Sequence, residues 1–153
     1  MHSSAAGSIS RQHLPSLSSP VMHAIPLRLQ PGDDLKQRLD RLAWESGWRA
    51  ACVITCVGSL SLAKIRFANQ ADITAVEGPL EILSLSGTIA SFGGSHLHLC
   101  VSDSKGHVVG GHLKEGSIVR TTAEVVVGVL DGFAFHRELD GKTGYPELVV
   151  GPA

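Results

Sequence analysis

The sequence predicts an α+β fold in which one clear helix packs against a mostly antiparallel β-sheet. Apolar residues recur at helical spacing between Asp34 and Ser46, and Gly47 follows as a residue suited to end a helix. After Gly47 the chain becomes a series of short aliphatic and β-branched segments separated by Gly, Asn, Asp and Ser. One helix followed by a run of strands is typical of a sheet covered on one face by a helix.

Both ends of the helix are marked. Asp33 or Asp34 can cap its N-terminus, because a carboxylate there accepts hydrogen bonds from backbone N–H groups that have no partner within the helix. Gly47 can take the left-handed conformation that closes the last turn. The apolar stripe expected to face the sheet consists of Leu35, Leu39, Leu42 and Ala43.

Seven segments have the composition and length of β-strands. They are Ala51 to Val57, Leu62 to Ala68, Leu80 to Ala90, Leu97 to Ser102, His107 to Leu113, Ala123 to Leu130 and Phe133 to Leu139. Residues 22–150 contain all of this patterned sequence and are predicted to form one domain. Residues 1–21, rich in Ser, Ala, Gly and Pro, are expected to be a flexible leader, and residues 151–153 a short tail.

Composition narrows the classes of function. The 153 residues are 43 % hydrophobic with a formal net charge of −1, so the chain lacks the basic bias of proteins that bind phosphate backbones nonspecifically. Its apolar runs are far shorter than the roughly 20 residues of a membrane-spanning helix, and no membrane partner is expected. Three cysteines without a secretory signal favour the cytoplasm. Cys52 and Cys56 are predicted to share a strand face as small buried side chains.

Three histidines are the strongest candidates for a functional site. His96 and His98 alternate along a predicted strand and therefore share one face of it. The turn residues Asp103-Ser104-Lys105-Gly106 connect this strand to the next, which carries His112. With a three-residue loop, His98 lies directly opposite His112. With a two-residue loop, the residue opposite His98 changes by one position. Cross-strand Cβ atoms are about 5 Å apart, which allows three imidazoles to meet at one ion.

Two interpretations of these histidines are open. A single strand histidine is usually a surface residue or a hydrogen-bonded core residue, and His-x-His alone is a weak pattern. Three imidazoles together suit zinc or a similar divalent metal and leave the fourth tetrahedral position free. The five other histidines have no comparable partners at strand spacing.

Several segments of the chain resemble the plants and prokaryotes conserved (PPC) domain, in its stand-alone prokaryotic form. The similarity extends over residues 22–150 and lies in Gly78 to Thr88, His96 to Leu99, Gly110 to Leu113, Thr121 to Val127 and Thr143 to Leu148. The resemblance implies a compact α+β fold, assembly as a homotrimer, and a metal held by His96, His98 and His112.

The same resemblance raises the question of DNA and protein partners. Plant relatives join this domain to AT-hooks with an Arg-Gly-Arg core, and the present sequence contains no such segment. Lys64 and Arg66 share a predicted strand face, but two cations are more typical of a solvated sheet than of a DNA-binding surface, which needs several phosphate contacts. Pro79 and Leu80 replace the Arg and Phe typical of the plant segment that contacts partner proteins. DNA binding is therefore not favoured.

Three hypotheses follow for function. The first is a metal-binding module for a small-molecule or regulatory ligand, with a small anion at the open coordination position. The second is a metal-dependent hydrolase or lyase, in which Glu81 or Glu124 lies near the metal; the alternative role of these carboxylates is a cross-strand or intersubunit ion pair. The third is a DNA-associated regulatory protein with a basic surface formed only in the oligomer.

Overall fold

The computed structural model describes residues 21–153, which contain one helix and eight strands. In chain order the elements are β1 (Met22–Leu29), α1 (Leu35–Ser46), β2 (Ala51–Arg66), β3 (Thr74–Ala90), β4 (Gly94–Ser102), β5 (Val108–Leu113), β6 (Ile118–Leu130), β7 (Phe133–Leu139) and β8 (Pro146–Pro152). The predicted fold class, a mostly antiparallel sheet with one helix, is confirmed. The predicted leader lies outside the described residues except for Val21.

Helix α1 has the ends and the buried stripe that its sequence predicts. The Asp34 carboxylate accepts hydrogen bonds from the backbone N–H groups of Lys36 and Gln37, at 3.0 and 3.1 Å. Gly47 closes the helix with a φ of 66°, in the left-handed region. The side chains of α1 that are fully buried are Leu35, Leu39 and Ala43, while the fourth predicted residue, Leu42, is partly buried against the core. This stripe joins the hydrophobic core beneath the sheet.

Six strands form one antiparallel sheet in the order β1-β6-β2-β3-β4-β5. Strand β5 also pairs with the end of β2, where Ile65 lies opposite Leu113 and Arg66 lies opposite His112. Strands β2, β3, β4 and β5 therefore form a closed ring. Closure gives β5 a second partner strand at His112 and Leu113, the end that carries the third candidate histidine.

The structure corrects the prediction of two strands within residues 51–68, because β2 runs through this region without a break. Gly58 lies in the middle of β2 with a φ of 141°, and a Cβ there would overlap the Thr122 carbonyl oxygen on β6. The sequence pattern around Gly58 suggested an interruption. The glycine instead permits close contact between two strands and a bend within one of them.

A bulge in β2 also places its two cysteines on different faces. Val53 lies opposite Val127, but Thr55 lies opposite Val126, so β2 contains one extra residue at this point. Cys56 is buried, and burial raises the pKa of its thiol to about 12, which fits the predicted role of a small buried side chain. Cys52 is half-buried on the opposite face, so the predicted shared face is wrong.

Four further strands differ from their predicted bounds, of which β4 begins at Gly94 rather than Leu97. Strand β3 begins at Thr74 rather than Leu80, because the Gly78-Pro79 pair lies inside the strand instead of ending it. Strand β6 begins at Ile118, five residues before the predicted start, since its polar residues face outward while it continues to pair with β2. Strand β5 begins at Val108, and the preceding His107 belongs to the turn.

Strands β7 and β8 form a separate two-stranded hairpin. Strand β8 was not predicted, because it begins and ends with proline, a residue confined to strand ends and sheet edges. It includes Gly151 and Pro152, which the sequence had assigned to the tail. The hairpin is attached to the ring by a backbone hydrogen bond from Phe135 N–H to the Arg49 carbonyl, 2.9 Å, and by Arg137, which donates to the Thr88 hydroxyl at 3.1 Å.

The core determines which face of β4 and β5 is available for a site. Leu97, Leu99 and Leu113 are almost fully buried, so the residues that alternate with them in these strands point away from the core. Those residues include the three candidate histidines. Within residues 21–153 no helix has both the length and the hydropathy needed to cross a membrane.

A substitution at Gly87 tests how closely β3 packs against β4, the strand that carries two of the three histidines. It lies on β3 opposite Leu97 with a φ of 138°, and a Cβ there would overlap the His96 carbonyl oxygen. We expect Gly87→Ala to lower the free energy of unfolding by about 2 kcal/mol or more, because backbone strain adds to the overlap. Urea unfolding followed by tryptophan fluorescence measures the change. Gly141→Ala is the control, since that glycine has open space around it, and an equal loss in both variants would contradict the argument.

Candidate metal centre

The β4–β5 turn sets the register of the two strands that carry the histidines. Ser102 lies opposite Val108, which leaves a three-residue loop at 104–106 between Asp103 and His107. The Asp103 carboxylate accepts hydrogen bonds from the backbone N–H groups of Lys105 and His107, at 2.8 and 2.9 Å. Of the two loop lengths that the sequence allows, the chain therefore adopts the three-residue loop.

In this register His98 lies directly opposite His112, as the three-residue loop predicts. The ring centroids of His96, His98 and His112 are 4.8 to 5.6 Å apart. Nε2 of His96 is 3.2 Å from Nε2 of His98, and one ring nitrogen of each histidine lies within 4.8 Å of the others. The structure thus brings all three predicted residues together.

The geometry of the three histidines fits a tetrahedral metal ion. Two nitrogens bound to zinc at about 2.0–2.1 Å in tetrahedral geometry are about 3.4 Å apart. The His96–His98 nitrogen separation of 3.2 Å is close to this value, and one nitrogen of His112 lies within 4.8 Å of both. His96 and His112 are half-buried while His98 is exposed, so the cluster is open to solvent on one side. Three ligands and an open side leave room for a fourth, exchangeable ligand.

The surroundings of His112 keep its imidazole neutral. Burial is the largest cause of a pKa lowered from 6.5 to about 4, and the positive charge of Lys114 is the next. His96, Arg66 and His98 lower the pKa further, in that order. A neutral imidazole has a free lone pair on nitrogen, which is the form that binds a metal. Near neutral pH, protons therefore compete weakly for the His112 nitrogen.

His96 has a related environment that includes the β7–β8 hairpin. Burial again lowers the pKa of its imidazole most, followed by the charges of Arg137 and His98, with a smaller contribution from Arg66. Glu147, on β8, opposes these effects. The hairpin thus places one cation and one carboxylate within electrostatic range of the cluster.

Four charged residues near the histidines were missed by the sequence analysis. Lys114 lies two residues after His112 at strand spacing, so this residue could have been found from the pattern. Arg66 was noted only for its shared face with Lys64, since nothing in the sequence shows that β2 pairs with β5. Arg137 and Glu147 come from the hairpin, whose position depends on tertiary packing.

The carboxylates selected from the sequence lie elsewhere in the fold. Glu81 is exposed on β3, where it lies opposite Ser59 of β2 and Ser102 of β4. Along β3 it is five residues from the position that pairs with His98. At about 3.3 Å per residue this is roughly 16 Å. Glu124 is exposed on β6, which the intervening strands β2 and β3 separate from β4, and lies opposite Arg28 of β1. The structure brings neither carboxylate next to the histidines, and Glu147 is the carboxylate that acts on His96.

Known proteins share both this fold and much of this sequence. Residues 17–131 match the family model of the Plants and Prokaryotes Conserved (PCC) domain. The chain belongs to this family, which is the one that the sequence segments resemble. Over 127 residues it is 46 % identical to the bifunctional protein GlmU of Synechococcus sp. (strain JA-2-3B'a(2-13)), covering 83 % of this PCC-domain chain and 20 % of GlmU. The chain therefore spans about a fifth of the length of the two GlmU relatives that it matches.

Two solved structures resemble this PCC domain closely. A hypothetical protein from Salmonella cholerae-suis (Salmonella enterica) has a TM-score of 0.85 and 37 % identity, over 88 % of this chain and 96 % of its own. The metal-containing protein from Archaeoglobus fulgidus has a TM-score of 0.71 and 32 % identity, over 83 % of this chain and 93 % of its own.

The lowered pKa of His112 predicts a specific pH dependence for the metal-free protein. As the pH falls, the unfolded chain binds a proton at this residue near pH 6.5, whereas the folded protein does so only near pH 4. The free energy of unfolding should therefore decrease as the pH falls through this window. Urea unfolding across these pH values measures the decrease, and NMR titration of the imidazole proton signals measures the pKa itself.

Lys114→Met tests how much the Lys114 charge contributes to the lowered pKa of His112. Removal of the positive charge should raise the pKa of His112, because the imidazolium then has one fewer cation beside it. His112→Gln should remove this residue's part of the pH dependence. An NMR midpoint near the ordinary histidine value in the unmodified protein would contradict the described environment.

Proposed function

We propose that this PCC-domain protein binds one divalent metal ion, zinc or a similar ion, through His96, His98 and His112. The observation that carries the proposal is the convergence of three imidazoles whose ring nitrogens lie within 4.8 Å of one another. Burial and nearby positive charges lower the pKa values of His96 and His112, which favours the neutral form that binds a metal. The metal-containing protein from Archaeoglobus fulgidus, a relative at 32 % identity, supports the presence of a metal in this fold.

The bound metal makes the protein a binding module for a small-molecule or regulatory ligand. With three protein ligands, zinc keeps a fourth position for water or an exchangeable group. The open side of the cluster and its cationic neighbours favour a small anion at that position. Three free cysteines within the described residues are consistent with the reducing environment of the cytoplasm, where we place the protein.

We also propose that the chain assembles as a homotrimer through the outer face of β1, β6 and β2. Met22, Ile54 and Val57 are each about half exposed on this face. Met22 and Ile54 lie together over Gly128, where a Cβ would be 2.8 Å from the Met22 sulfur and 3.2 Å from Ile54 Cδ1. An exposed apolar cluster on a sheet is a common site of association between subunits.

Removal of one histidine tests the metal site. The protein purified without an affinity tag should contain close to one zinc or similar divalent ion per chain, and His98→Ala should lose most of it, because two imidazoles bind a metal far more weakly than three. Elemental analysis of the folded proteins measures the content. His107→Ala is the matched control, since His107 lies in the same hairpin but pairs with Asp103. Equal metal content in both variants would exclude His98 as a ligand.

A charge on the outer face tests the assembly. Val57→Asp should convert the trimer to monomers, because association would bury a carboxylate without a partner. Sedimentation equilibrium at micromolar concentrations measures the mass. Leu139→Asp, at an exposed position on β7, should remain trimeric. A monomer mass for the unmodified protein would overturn the assembly proposal and leave the metal proposal standing.

A further inference from the structure

We propose that Arg137 determines which ligand the metal centre accepts. The ligand is a small oxyanion, either a carboxylate or a phosphate, which binds with one oxygen on the metal and another on the Arg137 guanidinium. This inference rests on the proposed function, since it needs the metal at the three histidines. It adds a residue from the β7–β8 hairpin to a site otherwise built from β4 and β5.

Hydrogen bonding fixes the position of Arg137. Its Nη2 donates to the Thr88 hydroxyl at 3.1 Å. Thr88 on β3 lies directly opposite His96 on β4, so the two side chains share a face of the sheet with Cβ atoms about 5 Å apart. The guanidinium is therefore held beside the histidine cluster, on the side of His96.

Arg137 keeps hydrogen-bonding capacity for a ligand. A guanidinium has five N–H donors, and the bond to Thr88 uses one of them. Arg137 is half-buried, which limits competition from water for the remaining donors. Because Thr88 already orders the side chain, a ligand would pay less conformational entropy to use it. A planar fork of donors is suited to two oxygens of a carboxylate or phosphate.

The charges around the cluster also favour an anion. Arg66 lies directly opposite His112, and Lys114 follows His112 at strand spacing. A divalent ion bound by neutral imidazoles would add two positive charges to these cations and to Arg137. Glu147 supplies one negative charge in this region. An oxyanion between the metal and Arg137 would reduce the repulsion among these positive charges.

The hairpin position of Arg137 separates the proposed anion contact from the segment that matches the family model. Residues 17–131 match the family model, and Arg137 lies beyond them. The metal ligands are within the matched segment, whereas the proposed anion contact is outside it. A change in the hairpin can therefore alter the ligand without altering the metal site.

Anion titrations of the zinc-loaded protein test the proposal. Inorganic phosphate and acetate are titrated separately by isothermal titration calorimetry, after the zinc content of each sample has been measured. The tighter of the two probes identifies the phosphate or the carboxylate class. Arg137→Gln should keep its zinc and weaken binding of that probe by about tenfold to a hundredfold, the usual effect of losing one charge-assisted hydrogen bond. Thr88→Val, which leaves the guanidinium unanchored, should have a smaller effect in the same direction.

Matched controls separate this inference from the proposed function. Arg41→Gln removes the same charge from an exposed position on α1 and should bind the anion as the unmodified protein does. Equal anion affinity in Arg137→Gln and Arg41→Gln would overturn the role of Arg137 while the metal site stands. Undiminished binding to the zinc-free protein, or loss of zinc from Arg137→Gln, would also overturn it. Failure of the unmodified protein to bind zinc or any similar divalent ion would overturn the proposed function and this inference together.

Discussion

The candidate site depends on the register between β4 and β5. His98 lies opposite His112 because a three-residue loop joins the strands, and a shift of one residue would turn His112 toward the core. Two glycines make this pairing compatible with ring closure. A Cβ at Gly110 would lie 2.8 Å from the Leu99 carbonyl oxygen, and one at Gly111 would lie 2.8 Å from that of Arg66. Strand β5 can therefore fit between β4 and the end of β2 only with glycine at these positions.

Ring closure also sets the electrostatics of the site. It brings Arg66 from β2 opposite His112, while Lys114 directly follows the last residue of β5. Burial and these cations act in the same direction on the imidazole, because both disfavour a further positive charge. The His112 imidazole therefore stays neutral among several positive charges.

The β7–β8 hairpin depends for its stability on contacts that also place a charged side chain near the histidines. A two-stranded hairpin is at best marginally stable by itself and needs contacts with the rest of the fold. Here it contacts the ring through Phe135 and Arg137, and the second contact ends beside His96. Ordering of the hairpin and binding of the proposed anion are therefore expected to favour each other, since both use the same arginine.

The sequence by itself determined the class of fold, the helix with its Asp34 and Gly47 ends, and the three histidines, because these features depend on local periodicity and on one short turn. It could not show that β2 continues past Gly58, since the same glycine fits a strand break or a close strand contact. It offered Glu81 and Glu124 either as carboxylates near the metal or as members of ion pairs, and their distance from the histidines depends on strand order. Only the tertiary structure brought Arg66, Arg137 and Glu147 to the site, because pairing between distant strands and hairpin docking leave no periodic pattern along the chain.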